Sequence, residues 1–143
     1  MSKFVQDITM DPLEFQGDTV TAKLKPIPRG LYVQAMPLVV QMQRARGALQ
    51  ERLSREPTPT EIGSDPEVLS AMTKAVDVMA PHAKDYVSGF DGLKDAAGAP
   101  VTLETVFAAG FFFQVALHVT MQLVNTANVK EEDTGKSAGP SSA

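Results

Sequence analysis

The 143-residue chain has no cysteine, no tryptophan, two histidines and two tyrosines. Without cysteine, disulfide frameworks, thiolate zinc sites, iron–sulfur clusters and thiol nucleophiles are all excluded. That composition fits a cytosolic protein. Basic charge is also in deficit: the net charge of −4 supplies no general attraction to nucleic acid or to an anionic membrane. The start, Met1-Ser2-Lys3-Phe4-Val5-Gln6-Asp7, has no apolar run of signal-peptide type, so nothing there points to export. Apolar residues, in contrast, are present in ordinary measure at 43%, close to the globular average of about 45–50%. The length suits a single domain with a core of its own, on a scale of about 150 residues per domain.

Catalytic constellations are missing as well. His82 and His118 lie far apart, and neither has a His, Asp or Glu at a metal-ligand spacing on one helix face. Asp91-Gly92-Leu93-Lys94-Asp95 lacks the further oxygen ligands and closing Glu of a calcium loop, so turn chemistry explains it better. Gly89, Gly92 and Gly98 have the wrong spacing for a phosphate loop. There is no nucleophile elbow either. The expectation is a chain with no catalytic residues, no metal and no cofactor.

Charge is unevenly distributed. Residues 23–55 hold seven bases (Lys23, Lys25, Arg29, Arg44, Arg46, Arg52 and Arg55) against the single acid Glu51. Residues 56–143 hold five bases and twelve acids. Such polarity orients copies or partners head to tail, or simply marks two solvated helix faces. Helical spacing spreads the arginines around the axis, and few aromatics are present to stack on bases, so no nucleic-acid partner is expected.

The elements read as mainly α (α+β): three to four helices with a small N-terminal β-hairpin and a disordered C-terminal tail. Leu13-Glu14-Phe15 and Thr19–Lys25 flank Gln16-Gly17-Asp18, a short hairpin loop. Val20, Ala22 and Leu24 share one face, with Thr19, Thr21, Lys23 and Lys25 opposite. Pro26 and Pro28 end the strand. Leu31, Ala35, Leu38, Met42, Ala45, Leu49 and Leu53 form a helical stripe, and the main helix is expected to start near Pro37, with 30–35 as a separate turn. Residues 54–65 are a polar, Pro-rich connection, with room for one short turn. The next helix opens either on a capping box from Ser64 to Glu67 or on Asp65 with Pro66 first. It carries Val68, Leu69, Met72, Ala75, Val76 and Met79 on one face, and Pro81 ends or kinks it. Residues 89–101 read as a Gly/Asp loop anchored by Phe90 and Leu93, after which Thr102 caps the last helix, about Leu103 to Asn125. One domain, residues 1–125, and a disordered polar tail, residues 126–143, complete the expectation.

No Asp, Glu, Lys or Arg occurs between Glu104 and Lys130. That length invites a membrane-spanning reading, but Gln114, His118, Gln122 and Asn125 form one polar row that hydrocarbon would leave without partners. The helix is otherwise apolar around most of its circumference. It therefore serves as the central core helix, or shares an apolar arc with another chain. Phe107, Phe111, Phe112, Phe113 and Leu117 are the candidate partner-binding residues, with Phe111 expected in the core and Phe113, nearest Gln114, expected exposed.

Residues Val87-Ser88-Gly89-Phe90-Asp91-Gly92-Leu93-Lys94-Asp95-Ala96-Ala97-Gly98-Ala99-Pro100-Val101-Thr102 carry the pattern aromatic–Asp-Gly-Leu, then Asp-x-x-Gly-x-Pro. This loop is similar to that of the small tail assembly chaperones of long-tailed bacteriophages. The strand pair leading through Lys23–Arg29 into a long helix, and the acidic tail Lys130-Glu131-Glu132-Asp133, also resemble that family. The resemblance implies a mainly helical, non-catalytic, self-associating protein of the host cytoplasm. Its implied partners are the phage tape measure protein, kept soluble, and the tail tube protein. The alternative is another small virion morphogenesis or connector protein retained in the particle. A membrane-active, holin-like protein is disfavoured by the polar row.

Overall fold

The computed structural model describes the backbone of residues 8–138 and the side chains of residues 8–127. In chain order the elements are β1 (Ile8–Thr9), β2 (Leu13–Phe15), β3 (Asp18–Leu24), α1 (Arg29–Leu53), α2 (Pro59–Ser64), α3 (Pro66–Met79), α4 (Ala83–Tyr86), β4 (Val87–Asp91), α5 (Leu103–Ala108), a 3-10 turn (Gly110–Phe112) and α6 (Phe113–Ala138). The class is mainly α with a small antiparallel sheet. Six helices rather than three to four are found among the described residues. The extra ones are short: α2, α4 and α5 are single turns or little more, each set off by a cap or a proline.

β3 is the centre of the sheet. Val20, Ala22 and Leu24 are buried while Thr19, Thr21 and Lys23 are exposed, so the period-two alternation holds along the whole strand. The hairpin to β2 turns at Gln16 and Gly17, both at positive φ, which glycine adopts at little cost. β1 continues along the same edge of β3, but one residue out of register with β2: Ile8 opposes Leu24, whereas Leu13 opposes Val20. The extra residue falls in Met10–Pro12 and makes a bulge.

β4 pairs with the other edge of β3, with its own irregularity between Ser88 and Asp91. This corrects the expected loop at 89–101: its first part is a strand. Gly92 explains the close approach that follows. Its φ is +100, and a Cβ there would lie 1.9 Å from the Thr19 carbonyl oxygen. Beyond it Leu93 is buried, and the Asp95 carboxylate accepts from the backbone N–H groups of Ala97 and Ala99 to close the tip. The Asp-Gly-Leu and Asp-x-x-Gly elements are therefore the hinge and tip of a β-tongue.

α1 runs unbroken from Arg29, so the expected start near Pro37 is corrected. Pro37 removes one hydrogen bond to the Val33 carbonyl. Val33 is 59% exposed, so the lost bond falls on the outward side of the helix. The buried row is Leu31, Ala35, Val39, Met42, Ala45 and Leu49; Val39, expected to broaden the stripe, is at its centre, and Leu38 is half-buried. Ser54 ends the helix in the left-handed conformation.

α3 packs along α1 through Val68, Ala71, Met72, Ala75, Val76 and Met79. Leu69, expected on that face, is 42% exposed. Of the two starts open in the sequence, the structure takes Asp65: its carboxylate accepts from the Val68 N–H, and Pro66 is the first helical residue. α2 inside the Pro-rich connection has a complete capping box between Thr58 and Glu61.

The single helix expected from Leu103 to Asn125 is broken. α5 ends at Ala108, Ala109 is extended, and the 3-10 turn restarts the chain into α6. Gly110 costs a helix interior about 1 kcal/mol relative to Ala, which favours the break at this point. α6 then buries Val115, Ala116, Val119, Thr120, Leu123 and Val124 against α3, α1 and β2. Thr126, expected to begin a disordered tail, is instead 1% exposed and belongs to the packed part. The α6 backbone continues to Ala138, and residues 139–143 of the expected tail lie outside the described residues.

Candidate protein-binding surface

The break before α6 changes the phase of the aromatic run and decides which ring meets the core. Phe112 turns inward and is 8% exposed, whereas Phe111 is 69% exposed. The expectation that Phe111 is core and Phe113 exposed is therefore corrected. Phe113 is half-buried, as are Phe107 and Leu117, and all three pack against the core. A continuous helix would have placed Phe107 and Phe111 on one face; the extended Ala109 removes that relation.

Phe111 is exposed but not loose. Its ring lies edge-on to Phe112, with centroids 5.1 Å apart, and edge-on to Phe15 at 5.9 Å. Phe15 and Phe112 are 6.0 Å apart, which closes a three-ring cluster. Edge-to-face pairs in this range are favoured by the ring quadrupoles. Sequence reading missed Phe15, since a strand residue at a hairpin turn carries no sign of a partner so far along the chain. Of the five candidates, the structure brings Phe111 and Phe112 together around Phe15. Phe107, Phe113 and Leu117 are not part of the ring cluster and pack, half-buried, against the core.

The polar row of α6 has a structural task. The bulge between β1 and β2 takes Asp11 out of the ladder. Its backbone N–H donates to Gln122 Oε1 at 3.0 Å, and its carbonyl oxygen lies 2.7 Å from His118 Nε2. A carbonyl only accepts, so Nε2 carries the proton. One turn further, Thr126 Oγ1 accepts from the Ile27 N–H at 3.1 Å and donates to the Leu123 carbonyl at 2.6 Å. Gln114 and Asn125 remain exposed. His118 is thus a positioning group for backbone.

Two ion pairs tie the α1–α2–α3 corner. Arg55 makes a bidentate pair with Glu61 at 2.6 and 2.8 Å, and Arg52 reaches Asp65 at 2.7 Å. The Arg55 guanidinium, then the Thr58 N–H, hold the Glu61 carboxyl down at about 2. The Val68 N–H, helped by Arg52, holds Asp65 below the ordinary carboxylate range. Nearby, an open hollow of about 210 Å³ lies between Gln43, Arg46, Gly47, Gln50, Glu56 and Pro57. It brings together one base and one acid. Among the described residues, no group of three or more His, Asp or Glu side chains is placed to hold a metal, and no helix is long and apolar enough to cross a membrane.

Comparison with family models, curated proteins and solved structures gave no match.

Proposed function

We propose that this protein is a non-catalytic bacteriophage tail assembly chaperone. In the host cytoplasm it keeps the tape measure protein soluble and helps recruit tail tube subunits while the tail is built. The family resemblance of residues 87–102 suggests the reading. The observation that carries it furthest is Phe111, a large aromatic left 69% exposed on a rigid three-ring cluster. An exposed apolar anchor on a firm base is what capture of apolar segments requires.

Co-expression with the tape measure protein of the same phage tests this. The tape measure chain should stay in the soluble fraction with the wild type and largely aggregate with Phe111→Ala. Equal solubility with and without the protein would sink the reading. A chaperone should also be absent from purified virions. A fixed copy number there, by mass spectrometry, would establish the connector alternative instead.

A further inference from the structure

α1 carries two helical seams, and the core takes up only one of them. Besides the buried row, Val33, Met36, Val40, Gln43, Gly47 and Gln50 recur at spacings of 3, 4, 3, 4 and 3. That is the heptad repeat along which one helix meets another. Val33 is 59% exposed, Met36 and Val40 are half-buried, and Gln43, Gly47 and Gln50 are exposed. The outward side of a packed helix is ordinarily polar. The first half of this seam is apolar instead, with Pro37 exposed beside it.

The second half opens into the hollow that Glu56 and Pro57 close on its other side. Gly47 stands in the helix interior, where glycine weakens the helix, and a Cβ there would meet no atom within 4 Å. Packing inside the chain does not require that glycine; close approach from outside would use it. Arg44 and Arg46 flank the seam on its two sides, the positions whose charges select a helix's partner. The ion pairs found among the described residues, Arg52–Asp65 and Arg55–Glu61, involve neither of them. Arg29 lies one turn before Val33, and no acid occurs between Lys23 and Gln50; Glu51 and Glu56 stand at the far end of the seam.

We propose that this seam docks an amphipathic helix of a different protein, one with an apolar face and acidic flanks. The heptad spacing makes the occupant a helix, since a helix presents side chains at the matching repeat. Charge complementarity sets its sign: acids on its flanks meet Arg44 and Arg46, and one at its end meets Arg29. Its apolar residues cover Val33, Met36 and Val40, and one side chain enters the hollow over Gly47. The other long helices of this chain, α3 and α6, already bury their apolar faces in its own core, so the matching helix comes from elsewhere. The seam shares no residue with the Phe111 cluster, and the inference does not rest on the proposed function.

Fluorescence anisotropy of two synthetic peptides, titrated with the purified protein, tests this. Each peptide is about 21 residues, or three heptads, with Leu at a and d. One carries Glu at e and g, the other Lys. The Glu peptide should bind about tenfold or more tighter than the Lys peptide, and less tightly as salt is added. Arg44→Glu/Arg46→Glu should reverse that preference, and Val33→Asp should weaken binding about tenfold or more. Gly47→Leu should raise the melting temperature, as helix propensity dictates, yet weaken binding, a combination that a merely structural glycine would not give. No binding of the Glu peptide, equal binding of both peptides, or variants that leave the preference intact would overturn the proposal. Binding lost in Phe111→Ala but kept in Val33→Asp would also overturn it, by placing the peptide on the aromatic cluster. So would dimerisation of the protein that Val33→Asp abolishes, because the occupant would then be a second copy.

Discussion

Phe111 and Phe112 are neighbours in sequence with opposite fates, and a mutation at each should separate them cleanly. Phe112→Ala empties a buried site and should cost about 3–5 kcal/mol in urea unfolding. Phe111→Ala removes a ring that is 69% exposed and should cost about 1 kcal/mol or less, the scale of its edge contacts. Equal costs would mean that the break before α6 does not hold in solution. The sequence pattern assigns these roles the other way round for a physical reason. From Val106 to Leu117 nearly every residue is apolar, so periodicity has no contrast from which to read a phase. Where contrast exists, single residues were legible: Asp65 before Pro66 did become a cap, and Val20, Ala22 and Leu24 did become core.

At the scale of elements, caps and ion pairs matter most where burial is least. α2 has no buried residue, so its geometry depends on Thr58, Glu61 and Arg55. The folded-state pKa of Glu61, about 2, lies below the ordinary value of 4.5. The stabilisation is therefore complete above about 4.5 and is lost as pH falls toward 2. The pair is solvent-exposed, so the effect is small and screened by salt. Glu61→Gln should melt slightly below the wild type at neutral pH, with the gap closing across that acid window. A gap that persists at pH 2 would assign the effect to the capping hydrogen bonds alone. This helix was half-legible, because Pro and Thr mark a turn but do not reveal that Arg55 folds back onto it. β4 was illegible for a different reason. Val-Ser-Gly-Phe-Asp is a poor strand sequence, and it becomes one by covering the second edge of β3.

For the molecule as a whole, α6 is the element that holds the two ends of the fold together. Its apolar side packs on α3 and α1, while Gln122 and His118 hold Asp11 and Thr126 holds Ile27. Two members of the polar row that argues against a membrane span, His118 and Gln122, thus fasten the sheet to the helices, a role that spacing alone does not disclose. Two truncations test it. A chain ending at Met121 loses Leu123, Val124 and Thr126, each nearly or wholly buried, together with two of the three bonds just named. Removing the Thr126 hydroxyl alone leaves a buried N–H unpaired, at about 1–3 kcal/mol, and each apolar side chain adds about 2–3 kcal/mol by lost burial. That sum rivals the roughly 5–15 kcal/mol by which domains are stable, so no cooperative melting transition should remain. A chain ending at Lys130 keeps every described side-chain contact of α6 and should melt within a few degrees of the full chain. If it too fails to melt cooperatively, the fastening extends past Thr126, and residues beyond Lys130 are part of the folded unit.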